Sequence, residues 1–413
     1  MTERSRLPPL ALLAAALRRT TEGLAHALAR PSADAPAWTD LEWRIARCAA
    51  AIHGVAVPLA HALEWRGPPA WEAFLVEQRE QAARREARID ELVARLDEAM
   101  RTAGVACVAL KGAALRALGL YRPGERPMGD VDLLVRPDDR AAAIAAIEAL
   151  GYVPSYETRR HAVYRARVQT VASELGEHVD NPLNVELHTA VGEPLPLRFA
   201  DITERVWPPR PQPGLNPYRD ENALLLHLVL HAAGNMATRS LRLIQLRDIA
   251  LLAARARDAA CAATPAPGDG LERAWWAYPP LALAARYHPG RIPDDWLREP
   301  RRRCPPRLRH TADRWTLTDV SLSNPRIHAL PGIAWARTPF EALAYARSRA
   351  LPSRTARDEM ARAVAARPEL ARAPWYDVSQ TERILRWLWA RPLRVQTMAS
   401  VAAALEAPGS RIT

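Results

Sequence analysis

The sequence almost lacks lysine. Lys+Arg totals 57 over 413 residues, yet Lys111 is the one lysine, so every other basic side chain is arginine. A chain-wide preference of that kind, with 36 prolines and abundant alanine, reads as a coding bias, and the position that keeps an amine becomes informative. Cysteine is scarce as well. Cys48, Cys107, Cys261 and Cys304 are far apart, with no C-x-x-C pair, which excludes a disulfide framework and metal-ligand spacing and points to a reduced, cytoplasmic protein. No apolar run reaches the ~18 residues of a membrane span, so no membrane partner is expected. Near the start, "RSRLPPLALLAAALRRT" imitates a secretory signal. Pro8 and Pro9 break its beginning and Arg18 and Arg19 end it, so an amphipathic helix is expected instead.

What is present is enough apolar sequence for a sizeable core, 49% against 25% charged, and the length leads us to expect two or three packed units. A formal net charge of +11 favours anionic partners such as nucleotides or nucleic acid. Arginine spread over solvated faces explains the same surplus, because the charges are distributed rather than blocked. The densest cluster, "REPRRRCPPRLRH" from Arg298 to His310, fits either a phosphate grip or a solvated loop interrupted by proline.

The period of the apolar positions changes along the chain. Residues 1–103 read as helical and end in one long helix, with Ile89, Leu92, Val93, Leu96 and Met100 at helical spacing and Gly104 as its stop. Residues 104–215 alternate between strands ("VACVAL", "DVDLLV", "NVELHTAV") and helices ("DDRAAAIAAIEALGY"), the pattern of a small α/β core with a mixed sheet. Residues 216–260 read as helices packing on that core. The stretch "ATPAPGDG" is the best linker candidate, and 271–413 form a C-terminal helical region that contains tryptophan. The expected fold class is therefore an α/β (α+β) core flanked by helical regions at both ends.

The chemistry gathers in the core. Asp130 and Asp132 are two apart on an expected strand, so alternation sends both carboxylates to one face. Paired carboxylates repel unless a cation lies between them, and Mg²⁺ suits oxygen ligands of this kind. Gly129 gives the strand a tight backbone start. Upstream, "VACVALKGAAL" runs strand, glycine, helix, so the backbone N–H groups near Gly112 and Ala113 could face a phosphate. Downstream, "NVELH" puts Asn184, Glu186 and His188 on one face, adding a third acid. Arg126 lies four residues before Asp130 and could reach the same anion, and Tyr121 could stack on a base or pack. His227 and His231 share a helix face, but no carboxylate or cysteine stands at a useful offset, so packing roles are expected for both. Asp248 is expected to bond a helix end or Arg247, with a place near the acceptor as the other reading.

In this order, a strand-glycine-helix turn, D-x-D and a third carboxylate, the sequence resembles the DNA polymerase β-like nucleotidyltransferase superfamily. More narrowly, "GVACVALKGAAL", "RPMGDVDLLV", "ALGY", "VELH" and "LRLIQLRDIALL" resemble an uncharacterised bacterial nucleotidyltransferase-like family with an L-K-G turn, over roughly 53–296. The resemblance implies that Asp130, Asp132 and Glu186 are catalytic and hold two Mg²⁺, with Glu186 serving the ion that activates the acceptor hydroxyl. It implies that Lys111, Gly112, Ala113, Arg126 and Gly129 bind the nucleotide, and that His188 stands on the acceptor side. The substrate would be an NTP, and the acceptor a hydroxyl of a small molecule, a peptide or protein, or RNA. One departure stands out. The superfamily turn is usually Gly-Gly or Gly-Ser, whereas this chain has Lys111-Gly112-Ala113, so the hydroxyl that often touches phosphate is missing. Two readings of other classes remain: a non-catalytic or antitoxin-like binding protein on the same fold, and an RNA-binding protein that uses the Arg298–Arg309 cluster.

Overall fold

The computed structural model describes residues 7–158, 161–168, 175–260, 270–271, 273–365, 378–389 and 392–406. The linker candidate at Ala263–Gly270 lies outside the described residues except for Gly270, and Cys261 lies outside them too.

The amphipathic N-terminal stretch forms α1 (Leu10–Ala29), which buries Leu13, Leu17, Leu24 and Leu28 along one stripe. Helix α2 (Asp40–His53) begins at Thr39, whose hydroxyl and the Glu42 carboxylate form a reciprocal capping box, and it ends at Gly54 with φ +65°. After α3 (Ala56–Ala62) comes α4 (Pro69–Thr102), started by Pro69 in its first turn. This long helix serves two cores. Its first half buries Trp71, Phe74 and Leu75 among helices. Its second half lays Ile89, Leu92, Leu96 and Met100 against the sheet.

That sheet has six strands in the order β3-β4-β5-β2-β1-β8. They are β1 (Ala106–Ala109), β2 (Asp130–Val135), β3 (Tyr152–Glu157), β4 (His161–Ala166), β5 (Asn184–His188) and β8 (Gly214–Asn216). Helices α5 (Lys111–Ala117) and α6 (Arg140–Ala149) lie between strands, and β6 (Gly192–Leu195) with β7 (Arg198–Asp201) forms a separate hairpin before α7 (Thr203–Val206). β2 pairs antiparallel with β1 and parallel with β5, so the sheet is mixed, as expected. Alternation splits its faces. Cys107, Val131, Leu133, Val135, Val185 and Leu187 pack beneath α4 and α6, and the opposite face carries the polar side chains of β2, β4 and β5.

Helices α8 (Glu221–Thr238) and α9 (Leu243–Ala260) cover that polar face. Asp220 caps α8 by accepting from the Ala223 N–H at 2.7 Å. Nearly the whole circumference of α8 is buried, so it acts as the axis of the helical core. The C-terminal region consists of α10 (Tyr278–Tyr287), α11 (Asp294–Arg303), α12 (Pro306–Ala312), α13 (Leu317–Val320), α14 (Pro339–Ala350), α15 (Arg354–Ala365), α16 (Gln380–Trp389) and α17 (Val395–Glu406). The last of these returns to the beginning of the chain, where Val401 and Ala404 pack with Leu13, Leu17 and Ile45. No single described helix is long and apolar enough to cross a membrane.

Three features depart from expectation. The segment between the DxD strand and "NVELH" contributes two strands, β3 and β4, that lack a clean apolar alternation. The proline-rich "WPPRPQPGLNP" contributes β8, held in register by Cys107↔Leu215 and by the Asn216 amide donating to the Cys107 carbonyl at 3.0 Å. The arginine cluster forms helices α11 and α12 rather than a loop, and Arg302 and Arg303 pair with Glu299 one turn away, at 2.6 and 2.9 Å.

Candidate active site

The loops that lead into β2 and β5 are tied together by one buried arginine. Arg85 on α4 donates to the Met128 carbonyl at 3.0 Å and to the Pro182 carbonyl at 2.8 Å, and it pairs with Glu177 at 3.2 Å. Its side chain is 3% exposed, so this cation is held by carbonyls and a carboxylate rather than by water, a costly arrangement unless every bond is made. The result is a fixed start for both acid-bearing strands.

From there the register brings the acids together. β2 and β5 pair so that Asp130 lies beside Asn184, Asp132 beside Glu186 and Leu134 beside His188. His161 on β4 stands opposite His188. Of these, Asp130, Asp132, His161, Glu186 and His188 line a cavity of about 500 Å³ between the sheet and α8–α9. Lys111 lines the same cavity, and its ammonium lies 2.7 Å from Asp132 Oδ1. The His188 Nε2 is 3.0 Å from that oxygen.

These neighbours set the protonation of the acids. Burial by itself would raise Asp132, but Lys111 and His188 overcome it and hold the carboxyl well below the usual range. Glu186 is likewise lowered: burial opposes ionisation, and the His188 imidazole beside it favours it. Asp130 goes the other way. Burial, then repulsion from Asp132 and Glu186, pushes it up to about 7, and among the described residues its carboxylate has no hydrogen-bond or ion-pair partner. Burial disfavours the charge on Lys111, but the attraction of Asp132, Glu186 and Asp130 more than restores it. The acid set thus carries surplus negative charge in a low-dielectric pocket, where a hard divalent cation would relieve the repulsion at Asp130. On this ground the residues fit Mg²⁺.

Lys111 adopts φ +47°, a left-handed conformation that costs an L-residue with a side chain roughly 1–2 kcal/mol. Its N–H donates to the Tyr218 hydroxyl at 3.2 Å, and that hydroxyl lies 2.7 Å from His227 Nδ1. Strain of this kind persists where the surroundings over-determine it, as they do here. Gly112 is needed for a different reason. A Cβ there would come within 2.7 Å of Arg126 Nη1 and 3.1 Å of Met128, so the absence of a side chain lets the arginine lie against the turn.

Arg126 lines the cavity, but its guanidinium is committed. It donates to Asp248 through Nε and Nη2, at 2.9 and 2.7 Å, while Tyr121 donates to the same carboxylate at 2.6 Å. Asp248 is therefore bonded to Arg126 and not to Arg247, which pairs with Glu125 at 2.8 Å. The reason is that the Arg126 fork meets the carboxylate in the bidentate geometry that arginine favours. Tyr121 packs within this network. Gly129 is exposed with open space around it, and Ala113 is buried beneath the turn.

Four cavity residues escaped sequence reasoning. His227 and His231, expected only to pack, both line the cavity; burial and the Lys111 charge keep both imidazoles below their usual range. His161 had no signal beyond its place in a strand that alternates poorly. Arg242 is the most informative. Its Nε donates to the Ile52 carbonyl at 2.9 Å, and among the described residues its terminal nitrogens have no hydrogen-bond partner while the side chain lines the cavity. Burial lowers its affinity for a proton, with Arg126 adding to the effect. Its place in "LRLIQLRDI", just ahead of a helix that carries Asp248, was the available signal.

A family model described as an uncharacterised nucleotidyltransferase matches residues 39–273. The match ends close to α9, so it takes in the sheet, the cavity and the helices that cover it. No curated protein and no solved structure matches the chain.

Proposed function

The chain belongs to this family of uncharacterised nucleotidyltransferases, and from that premise we propose that it is a member of the L-K-G type that moves an NMP group from an NTP to an acceptor hydroxyl. The observation that carries the proposal is the β2–β5 register, which sets Asp132 beside Glu186 with Lys111 bonded to the first. Asp130, Asp132 and Glu186 would hold two Mg²⁺ ions, which when bound neutralise phosphate charge and lower the pKa of an attacking hydroxyl.

The chain's own groups complete the site. Lys111 fixes the orientation of Asp132 and keeps a positive charge at the turn, while the N–H groups near Gly112 and Ala113 supply donors beside it. Arg242 presents its guanidinium nitrogens to the triphosphate, a role that the commitment of Arg126 to Asp248 leaves to it. Arg126 and Gly129 shape the floor beneath the nucleotide. Glu186 and His188 lie at the acceptor end, where the hydroxyl attacks the α-phosphorus and pyrophosphate departs. The acceptor is a small molecule, a peptide or protein side chain, or an RNA end, and the helical cover over the cavity favours a dedicated pocket over a processive track.

The test is pyrophosphate release from each NTP with Mg²⁺, with cell extract as the source of acceptor, for wild type and Glu186→Gln. Release that depends on extract and falls in the variant, while NTP binding survives, is the expected result. Equal release from both proteins would remove Glu186 from the chemistry.

A further inference from the structure

The acids are flanked on one side by imidazoles that Mg²⁺ does not call for. His161 and His188 face each other across the β4–β5 register, their ring centroids 5.0 Å apart. Each Nε2 lies 3.6 Å from the same atom, Glu186 Oε2. The three side chains offer ligand atoms that all fall within 4.8 Å of one another.

Hydrogen bonding within the trio does not account for that spacing, because such bonds between nitrogen and oxygen run at roughly 2.7–3.2 Å; the bond of that length that His188 Nε2 makes is to Asp132 Oδ1, at 3.0 Å, and an ion held at Nε2 would displace it. A metal does. Zinc bonds to imidazole nitrogen and carboxylate oxygen are about 2.1 Å long, and the edge of a tetrahedron with such bonds is about 3.4 Å, close to both separations. We infer that His161, Glu186 and His188 form a site for a first-row transition ion of the Zn²⁺, Co²⁺ or Mn²⁺ class, at the β4–β5 side of the acid cluster. Two nitrogens and one oxygen select these ions over Mg²⁺, which prefers all-oxygen surroundings. Three protein donors leave coordination open toward the cavity, the arrangement of sites that take a solvent or substrate oxygen rather than of closed structural ones.

The rest of the cluster supports this division. Among the described residues, the imidazole within hydrogen-bond reach of Asp132 is that of His188, and Lys111 holds Asp132 from the other side. The strands thus separate an oxygen-only end, at Asp130, from a nitrogen-rich end at His161. The inference shares Glu186 and His188 with the nucleotidyl-transfer reading but does not depend on it, since it concerns binding of an ion alone.

The experiment is titration of the chelator-stripped full-length protein with Co²⁺ and Zn²⁺ under excess Mg²⁺, without nucleotide, followed by calorimetry and by the visible absorption of Co²⁺. One ion of either metal should bind and resist Mg²⁺, and Co²⁺ should show the intense bands of a four-coordinate nitrogen-containing site. His161→Gln should lower that affinity by more than the ~100-fold that loss of an outer-shell partner produces, and His227→Gln, a cavity histidine outside the trio, should leave it unchanged. Displacement by Mg²⁺, the weak bands of a six-coordinate oxygen site, or wild-type affinity in a folded His161→Gln would each overturn the inference. Pyrophosphate release measured separately keeps the two readings distinguishable: ion binding without turnover defeats only nucleotidyl transfer, and Mg²⁺-dependent turnover without ion selectivity defeats only this site.

Discussion

The two faces of the central sheet are built from the same strands and ask opposite things of them. On the face beneath α4 and α6, Val131, Leu133, Val185 and Leu187 are at most 2% exposed and pack in one apolar cluster. On the other, Asp130, Asp132, Glu186 and His188 are crowded into a pocket where burial opposes their charges. One face lowers the free energy of the fold, and the other raises it, a cost that the proposed nucleotidyl transfer would explain. A period of two residues lets a single strand do both, because every second side chain can be chosen for a different purpose. Substitutions on the two faces should therefore separate stability from turnover.

The apolar face should show the largest loss of stability. Leu133→Ala removes a fully buried side chain and should destabilise the protein by about 2–5 kcal/mol, read from denaturant unfolding, with turnover per folded molecule unchanged. A variant as stable as wild type would mean that this face is not the support described here. On the polar face, Lys111→Arg keeps the charge and changes its shape. The ammonium sits 2.7 Å from Asp132 in a narrow buried turn, and a planar fork has different reach and geometry. Turnover should fall on the order of 10²-fold with little change in melting temperature, and wild-type kinetics would make the lone lysine an accident of composition.

A smaller effect tests the helical cover that brings Arg242 to the cavity. His53 accepts from the Leu243 N–H at 2.9 Å through Nδ1 and contacts Ser323 Oγ at 2.8 Å through Nε2. Burial, then the Arg242 charge, pushes it down to about 3. The folded value lies below the unfolded one of ~6.5, so the unfolded chain holds the extra proton between them. The stabilisation is complete above ~6.5 and is lost as the pH falls toward the folded value. The melting temperature of wild type should fall more steeply than that of His53→Gln between about pH 7 and about pH 4, and parallel curves would contradict the assignment.

How much of this was legible depended on whether a signal was local. The D-x-D pair, the third acid and the lone lysine could be read because alternation along a strand and residue identity suffice to pick them out. The pairing of Lys111 with Asp132 could not, since it depends on the antiparallel register of β1 and β2, set by contacts distant in sequence. β8 was hidden by the prolines on either side of it, Pro213 and Pro217, and by having only three residues, too few for a period to show. His227 and His231 lie among leucines on a helix that looks apolar all round, and only the position of the sheet reveals that one stripe of it faces a cavity. Arg242 was one arginine among many, distinguished only by what the fold leaves unbonded. Arg126 lines the cavity, but its partner, 122 residues away at Asp248, was beyond any local pattern.

Asp130 is where the cost and the purpose of the polar face meet. Of Asp130, Asp132 and Glu186, it is the one whose carboxylate has no hydrogen-bond or ion-pair partner among the described residues, pushed up to about 7 by burial and by its neighbours. The most direct measurement compares wild type with Asp130→Asn for pyrophosphate release and thermal unfolding in the same buffer. Removal of an unpaired charge from a repulsive pocket should leave the melting temperature equal or higher, while transfer falls by on the order of 10³-fold or more through loss of a charge-stabilising group. Full turnover in Asp130→Asn, or a marked loss of stability without loss of turnover, would contradict the claim that this face is kept for chemistry.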